Sequence, residues 1–159
     1  MSQRLYYQQH SPELFNKFVE FSLLTHESAI EPSLIDLVNV RASQLNGCAF
    51  CLDMHVKEAT IHGERALRLH HLAAWRESTL FSPRERAALA WSEALTQLPP
   101  QGVSDEIYER VLTHFSDKEI SDLTFLVMAI NAWNRINVGF RMVPGTADKV
   151  YGLDKAGLS

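Results

Sequence analysis

The hydrophobic positions of the chain recur at intervals of three and four residues, in stretches separated by short polar segments that contain proline or glycine. This spacing places the apolar side chains on one face of an α-helix. It predicts an all-α fold, a single domain with a bundle of about six helices. An extended lead-in is expected at residues 1–10, and a tail with little structure at residues 143–159. The helices are predicted over residues 11–26, 32–46, 48–62, 64–71, 82–98, 104–115 and 116–140.

Local start and stop signals define several of these boundaries. Ser82 and Ser116 are each followed, three residues later, by a glutamate, which is the capping-box pattern of a helix start. Pro12 after Ser11 marks another start, because proline suits the first helical position. Gly47 permits the left-handed turn that ends a helix.

The longest predicted helix is apolar almost all round over Leu123–Trp133. Such a helix is buried, either at the centre of the bundle or between subunits, so a homo-oligomer is expected. Three asparagines interrupt its surface at intervals of three residues, Asn131, Asn134 and Asn137. Buried amides need hydrogen-bond partners, and a polar seam that ties helices or subunits together is favoured over a role in a site.

Composition and charge narrow the function classes. The 159 residues suit one domain with a substantial core, and the 46% apolar and 21% charged content is that of a globular protein. The formal net charge of −4, with no run of Lys or Arg, argues against a nucleic-acid partner. The first residues lack the apolar core of a signal peptide, and no run is long enough for a membrane span. A cytoplasmic protein with no membrane partner is therefore expected.

The candidate chemistry lies in the third predicted helix. Both cysteines of the protein, Cys48 and Cys51, stand in C-x-x-C spacing at its start, and His55 follows one turn after Cys51. Exposed amides and the helix dipole at an N-terminus favour thiolate over thiol. In a reducing compartment this pattern indicates redox or metal chemistry rather than a structural disulfide.

Two other interpretations of the cysteines remain open. They are two small buried residues, or they bind zinc with His55 and a fourth ligand such as His62. Both are less favoured than redox chemistry. Two cysteines at this spacing and at a helix start are rarely incidental, and the third zinc ligand comes too soon for the common zinc spacings. His55, one turn from a thiol, is a plausible acceptor of the thiol proton.

The sequence resembles the AhpD-like alkylhydroperoxidase core of the carboxymuconolactone decarboxylase superfamily. That family has a carboxylate, normally glutamate, twelve residues before the first cysteine, where this chain has Asp36. Its best-studied members have a second histidine just before the second cysteine, where this chain has Phe50. The resemblance extends over most of the chain and rests on Arg41–His55 with Ala59 and Gly63, Trp75–Glu77, Phe81–Arg86 and Asn131–Arg135.

The resemblance implies thiol-dependent reduction of an organic hydroperoxide or hydrogen peroxide in antioxidant defence. Cys51 is then the attacking thiolate, with His55 and, directly or through a water, Asp36 as its proton relay, and Cys48 resolves the sulfenic acid to a disulfide. An external thiol or dithiol protein restores the thiols, with no haem, flavin or metal. It also implies a trimer or hexamer. The helix dipole alone favours Cys48 as the more acidic thiol, so the roles of the two cysteines stay open.

Three rival functions remain open. A protein disulfide reductase or thiol redox partner would employ the same cysteines on a different substrate. A lactone decarboxylase, the other activity of the superfamily, does not need a cysteine pair. A zinc or oligomerisation module would need no catalysis.

Overall fold

The computed structural model describes residues 2–158 of the protein. This part of the chain contains no strand, and its six helices of eight or more residues confirm the predicted all-α bundle. Two 3-10 turns, Leu72–Ala74 and Leu153–Ala156, lie between or after the helices. The nine α-helices of residues 2–158 are α1 (Tyr7–His10), α2 (Pro12–His26), α3 (Pro32–Leu45), α4 (Ala49–Ile61), α5 (Ala66–His71), α6 (Pro83–Thr96), α7 (Asp105–Leu112), α8 (Asp117–Phe140) and α9 (Asp148–Tyr151).

The predicted helix starts are confirmed where the sequence had capping signals. At Ser82 and at Ser116 the hydroxyl accepts from the backbone of the glutamate three residues later, and that glutamate accepts in return from the cap backbone. Each box thereby satisfies two donors that a helix start leaves unpaired. α8 ends at Phe140, as its pattern predicts.

Helix α3 lies at the centre of the bundle and is buried on nearly every side. Leu34 and Val38 pack with side chains of α6, α7 and α8 in one core cluster. Leu37 and Val40 pack with side chains of α4, α5 and α6 in a second. The second face positions α4, the helix with the cysteines, against α3. None of the helices in residues 2–158 combines the length and apolar character needed to cross a membrane.

The C-terminal segment is more ordered than the sequence pattern predicts. Instead of a tail with little structure, it forms α9 and a 3-10 turn that pack on α4, with Leu153 buried. Lys57 on α4 holds it there, since its Nζ lies 2.8 Å from Asp148 Oδ2 and 2.9 Å from Asp53 Oδ2. These contacts join residues up to 91 positions apart, so they cannot be predicted from local periodicity. The predicted lead-in likewise contains α1.

The long helix α8 packs within its own chain, which agrees with the central burial predicted for it. Leu123, Leu126 and Ile130 are buried, whereas Phe125 and Met128 remain about half exposed. The predicted homo-oligomer stays a prediction, because contacts within one chain do not test it.

The turn between α3 and α4 fixes the position of the first cysteine. Gly47 has φ +62°, its N–H donates to Gln44 O, and the next N–H, of Cys48, donates to Ser43 O. These two bonds are a Schellman motif, which satisfies the last carbonyls of α3. Cys48 is therefore both the end of this motif and the N-cap of α4.

Replacing Gly47 by alanine should lower the free energy of unfolding by about 1–2 kcal/mol, because a Cβ disfavours the left-handed conformation. A Cβ there meets no atom within 4 Å, so backbone strain is the whole cost. The matched control is Gly139→Ala inside α8, where a Cβ also meets nothing and φ is helical; it should be neutral or stabilising. Urea denaturation of both variants tests this, and equal stabilities would contradict it.

Candidate active site

Helix capping brings the two cysteines together. Cys48 is the N-cap of α4, and its Sγ accepts from the backbone N–H of Cys51 at 3.4 Å. A cap side chain bonds to the backbone two or three positions into the helix. In C-x-x-C spacing the second cysteine occupies that third position, so the capping sulfur lies beside the second thiol. The two cysteines therefore lie at a helix start, as predicted.

The two thiols compete for one negative charge. The hydrogen bond with the Cys51 side chain lowers the pKa of Cys48 to about 7 against the effect of burial, and the Cys51 N–H and Asn134 amide contribute. The bond to Cys48, burial and the charge of Cys48 raise the pKa of Cys51. The pair titrates as a unit, and its first charge forms near neutral pH mainly on Cys48. The lower pKa of Cys48 is in the direction that the helix dipole favours, but its largest cause is the hydrogen bond with the Cys51 side chain. Which cysteine attacks stays a prediction.

The more acidic cysteine, Cys48, is not the one that borders the main cavity. A cavity of about 550 Å³ that opens to solvent is lined by α1, α2, α4, α8 and the C-terminal segment. Cys51 is among the residues that line it, whereas Cys48 is not. The lining is mostly apolar, with five aromatic side chains, Tyr7, Phe15, Phe50, Trp133 and Tyr151. A substrate in this cavity meets Cys51 first.

His55 lies on the same cavity, one turn after Cys51, and is held by a carboxylate on its own helix. Its Nδ1 is 2.9 Å from Glu58 Oε2, three residues further along α4. Burial opposes ionisation of Glu58, but the bond to His55 and the nearby histidine charges outweigh it and lower the pKa of that carboxyl. No role was predicted for Glu58, although an i, i+3 His–Glu pair is a local signal that could have been recognised.

Asp36 is bonded to His62, and its predicted role behind His55, directly or through a water, stays a prediction. Its Oδ2 bonds to His62 Nδ1 at 2.8 Å, and within residues 2–158 it forms no direct hydrogen bond with His55. The shorter aspartate side chain on α3 reaches the last turn of α4, while His55 is already bonded to Glu58. This arrangement also occupies His62, the fourth ligand of the zinc hypothesis. Among the described residues no group of three or more His, Cys, Asp or Glu side chains is placed to hold a metal ion.

Breaking the Asp36–His62 pair should cost stability in a pH-dependent way. Burial raises the pKa of Asp36 despite the bond from His62, while Asp36 raises the pKa of His62. The stability from protonated His62 is thus fully present below its unfolded pKa of about 6.5 and is lost as pH rises through the raised folded value. His62→Ala should cost about 1 kcal/mol near pH 6, since half of the imidazole is solvent-exposed, and less above pH 8. Urea denaturation at both pH values, with exposed His70→Ala as control, measures this; a pH-independent difference would contradict it.

The asparagine seam of α8 divides into structural and site residues. Asn131 and Asn134 both accept from the Asn46 amide, and they donate to Thr96 and Ser43 respectively. These bonds tie α8 to α3 and α6, as the seam prediction states. The Asn134 amide also lowers the pKa of both cysteines. Asn137 extends furthest into the site, because its Nδ2 lies 3.2 Å from Cys51 Sγ. It was predicted to belong to the seam and not to the site.

Comparison with known proteins places this arrangement in a family. The family model of the carboxymuconolactone decarboxylase family matches residues 12–94, a range that contains both cysteines, His55 and Asp36. The chain belongs to this family. The matched range also includes Glu58, whereas Tyr7 and the whole of α8 lie outside it.

Relatives in the carboxymuconolactone decarboxylase family are similar over most of the chain. The uncharacterized protein YdfG of Bacillus subtilis is 41% identical over 138 residues, which are 87% of this chain and 94% of YdfG. A crystal structure from Agrobacterium tumefaciens is 40% identical, with a TM-score of 0.88 over 91% of this chain and 99% of that one. It is a protein of unknown function for which the identity antioxidant defence protein AhpD has been suggested.

A more distant structure supports the fold alone. It is the alkylhydroperoxidase AhpD core of an uncharacterized peroxidase-related protein from Ralstonia eutropha, 20% identical, with a TM-score of 0.77 over 88% of this chain and 75% of that one. Together these similarities confirm that the chain is an AhpD-like member of the carboxymuconolactone decarboxylase superfamily.

Proposed function

We propose that the protein is a thiol-dependent hydroperoxide reductase that uses Cys48 and Cys51 as a redox pair in antioxidant defence. The observation that carries the proposal is the placement of Cys51. It lines an apolar cavity together with His55, and its sulfur lies beside a second thiol at a helix start. The suggested identity of the Agrobacterium relative as an antioxidant defence protein agrees with it.

The first step is attack of the Cys51 thiolate on the hydroperoxide. An S–O bond forms as the O–O bond breaks, which gives Cys51 sulfenic acid and an alkoxide or hydroxide that takes up a proton to leave as alcohol or water. Sulfur is oxidised and the peroxide is reduced. The cavity brings substrate to Cys51, so access rather than resting acidity decides which cysteine attacks.

The low pKa of Cys48 suits the second step. Its thiolate attacks the Cys51 sulfur, the S–S bond forms, and the sulfenic oxygen leaves with a proton as water. Thiolate rather than thiol is the nucleophile, and with a pKa of about 7 Cys48 is substantially ionised at neutral pH. An external thiol or dithiol, which we propose to be a reductant protein in the cell, then reduces the disulfide and restores both thiols.

His55 exchanges the protons of these steps. Because Glu58 holds its Nδ1, the other ring nitrogen, Nε2, is the one available to take the Cys51 proton and return it to the leaving oxygen. Glu58 fixes the orientation of the ring through its contact with Nδ1. We assign the carboxylate of the relay to Glu58, and to Asp36 the support of α4 through His62.

The test is peroxide consumption with dithiothreitol as reductant. The protein should turn over cumene hydroperoxide or hydrogen peroxide many times per chain, and the Cys48→Ser, Cys51→Ser double variant should not. Parallel assay with a protein disulfide as substrate separates the rival disulfide reductase. Reduction of that disulfide without peroxide turnover would refute the proposal.

A further inference from the structure

We propose that Asn137 is a catalytic residue that donates a hydrogen bond to the sulfur of Cys51, and that Tyr7 is the positioning residue that orients the Asn137 amide. This inference deepens the proposed function and rests on it only in taking Cys51 as the reacting thiol. It would place a residue from each end of the chain, outside the range matched by the family model, in the active site.

The Asn137 amide contacts the reacting atom directly. Its Nδ2 is 3.2 Å from Cys51 Sγ, and Asn137 is only 4% exposed. An N–H aimed at a sulfur stabilises the negative charge of the thiolate relative to the thiol, and burial strengthens the effect. It lowers the pKa of Cys51, against the larger effects of Cys48 and of burial that raise it.

An asparagine side chain can present either its NH₂ or its oxygen to a neighbour. The oxygen would repel a thiolate, so the orientation of Asn137 decides whether it helps or hinders the reaction. Tyr7 fixes it, because its hydroxyl donates to Asn137 Oδ1 at 3.1 Å. Burial and the charge of Cys51 raise the pKa of Tyr7 to about 12, which keeps this hydroxyl protonated as a donor.

The N-terminal segment is built onto the end of α8 in a way that holds Tyr7 in place. Its ring stacks on Phe140 at a centroid distance of 5.6 Å and meets the edge of Phe15 at 6.0 Å. Three residues earlier, Arg4 donates from its backbone to Phe140 O at 2.9 Å and from Nη1 to Gly139 O at 3.1 Å. These bonds satisfy carbonyls that the last turn of a helix leaves unpaired.

The Tyr7–Asn137 pair therefore acts on the distribution of charge between the two sulfurs. The hydrogen bonds from the Cys51 side chain and backbone N–H draw the shared charge toward Cys48, which is not among the residues that line the cavity. The Asn137 amide draws it toward Cys51, where a substrate can meet it. Loss of either member of the pair should leave the charge on Cys48 and make Cys51 less reactive.

The experiment measures alkylation of each cysteine by iodoacetamide as a function of pH, with peptide mapping to follow Cys48 and Cys51 separately. Asn137→Ala should slow the alkylation of Cys51 at pH 7 by about tenfold or more and move its pH profile upward, the range for a hydrogen bond to a charged group. Tyr7→Phe keeps the ring and removes the hydroxyl, and should slow it about threefold to tenfold in the same direction.

Tyr6→Phe is the matched control, because Tyr6 is the adjacent tyrosine and is 59% exposed; it should leave both profiles unchanged. Tyr7→Phe keeps the test decisive if Asn137→Ala does not fold. A purely structural role would lower stability without moving the pH profile of Cys51. If both Tyr7→Phe and folded Asn137→Ala keep the parent profile, the inference is refuted.

Alkylation does not require peroxide. The experiment can therefore refute the role of the Tyr7–Asn137 pair without refuting the proposed peroxide reduction, and the peroxide assay can do the opposite. A parent protein that turns over no peroxide, but whose Cys51 profile shifts in these variants, would refute the proposed function and support the Tyr7–Asn137 pair. Peroxide turnover with an unshifted profile would do the reverse.

Discussion

Replacing Cys51 by serine should abolish peroxide reduction, whereas replacing Cys48 by serine should leave one oxidation per chain. A serine hydroxyl is not ionised at neutral pH and has no sulfur to oxidise, so the first step has no nucleophile without Cys51. Without Cys48 that step remains, because Cys51 still lines the cavity and contacts Asn137. The sulfenic acid then persists, since the neighbouring thiolate that would resolve it is gone.

The two variants are compared without added reductant, because an external thiol could reduce the sulfenic acid directly. One equivalent of peroxide should be consumed by Cys48→Ser, and a sulfenic-acid trap such as dimedone should label Cys51. Cys51→Ser should consume none. If Cys51→Ser reacts and Cys48→Ser does not, the more acidic cysteine is the one that attacks, and the roles of the two thiols are exchanged.

Replacing His55 by alanine should slow the first reaction with peroxide by about 10²–10⁴-fold, the usual contribution of a general acid–base group. His55 is the imidazole that shares the cavity with Cys51. Glu58→Gln keeps a hydrogen-bond acceptor for His55 Nδ1 but removes the charge of the group that orients the ring, so a loss of about tenfold is expected. Both effects should appear in the single-turnover rate measured at a series of pH values.

Asp36→Asn separates the relay proposed through Glu58 from the one that the family resemblance implies. Because Asp36 bonds to His62 rather than His55, this variant should lower stability with little effect on the rate. For His55→Ala, the control is His70→Ala, which removes an exposed imidazole. If Asp36→Asn slows the reaction as much as His55→Ala, and Glu58→Gln does not, Asp36 is the carboxylate of the relay.

Much of the fold could be predicted because its boundaries are local events. The capping boxes at Ser82 and Ser116 involve residues three apart, and the Schellman turn at Gly47 spans six. The position of the cysteines follows from the same logic, since C-x-x-C at a helix start places one sulfur at the cap and the other beside it. Local rules of this kind can be recognised in one sequence.

The rest of the site depends on contacts between distant parts of the chain. Tyr7 meets Asn137 across 130 positions, and Asn137 meets Cys51 across 86. A tyrosine in a predicted lead-in and an asparagine in an apolar helix have no local feature that pairs them. Asp36 shows that a matching position does not fix a contact. It stands where the family pattern has its carboxylate, but its side chain bonds to His62. Spacing fixes where a backbone lies, and side-chain length and competing partners decide what it contacts.

The most direct test of the redox pair is the mass of the unmodified protein after one equivalent of hydroperoxide without reductant. We expect each chain to lose two hydrogens, and peptide mapping to find a Cys48–Cys51 disulfide within one chain that dithiothreitol reverses. Two free thiols recovered unchanged, or a disulfide between chains, would contradict the proposal that these cysteines form the catalytic pair.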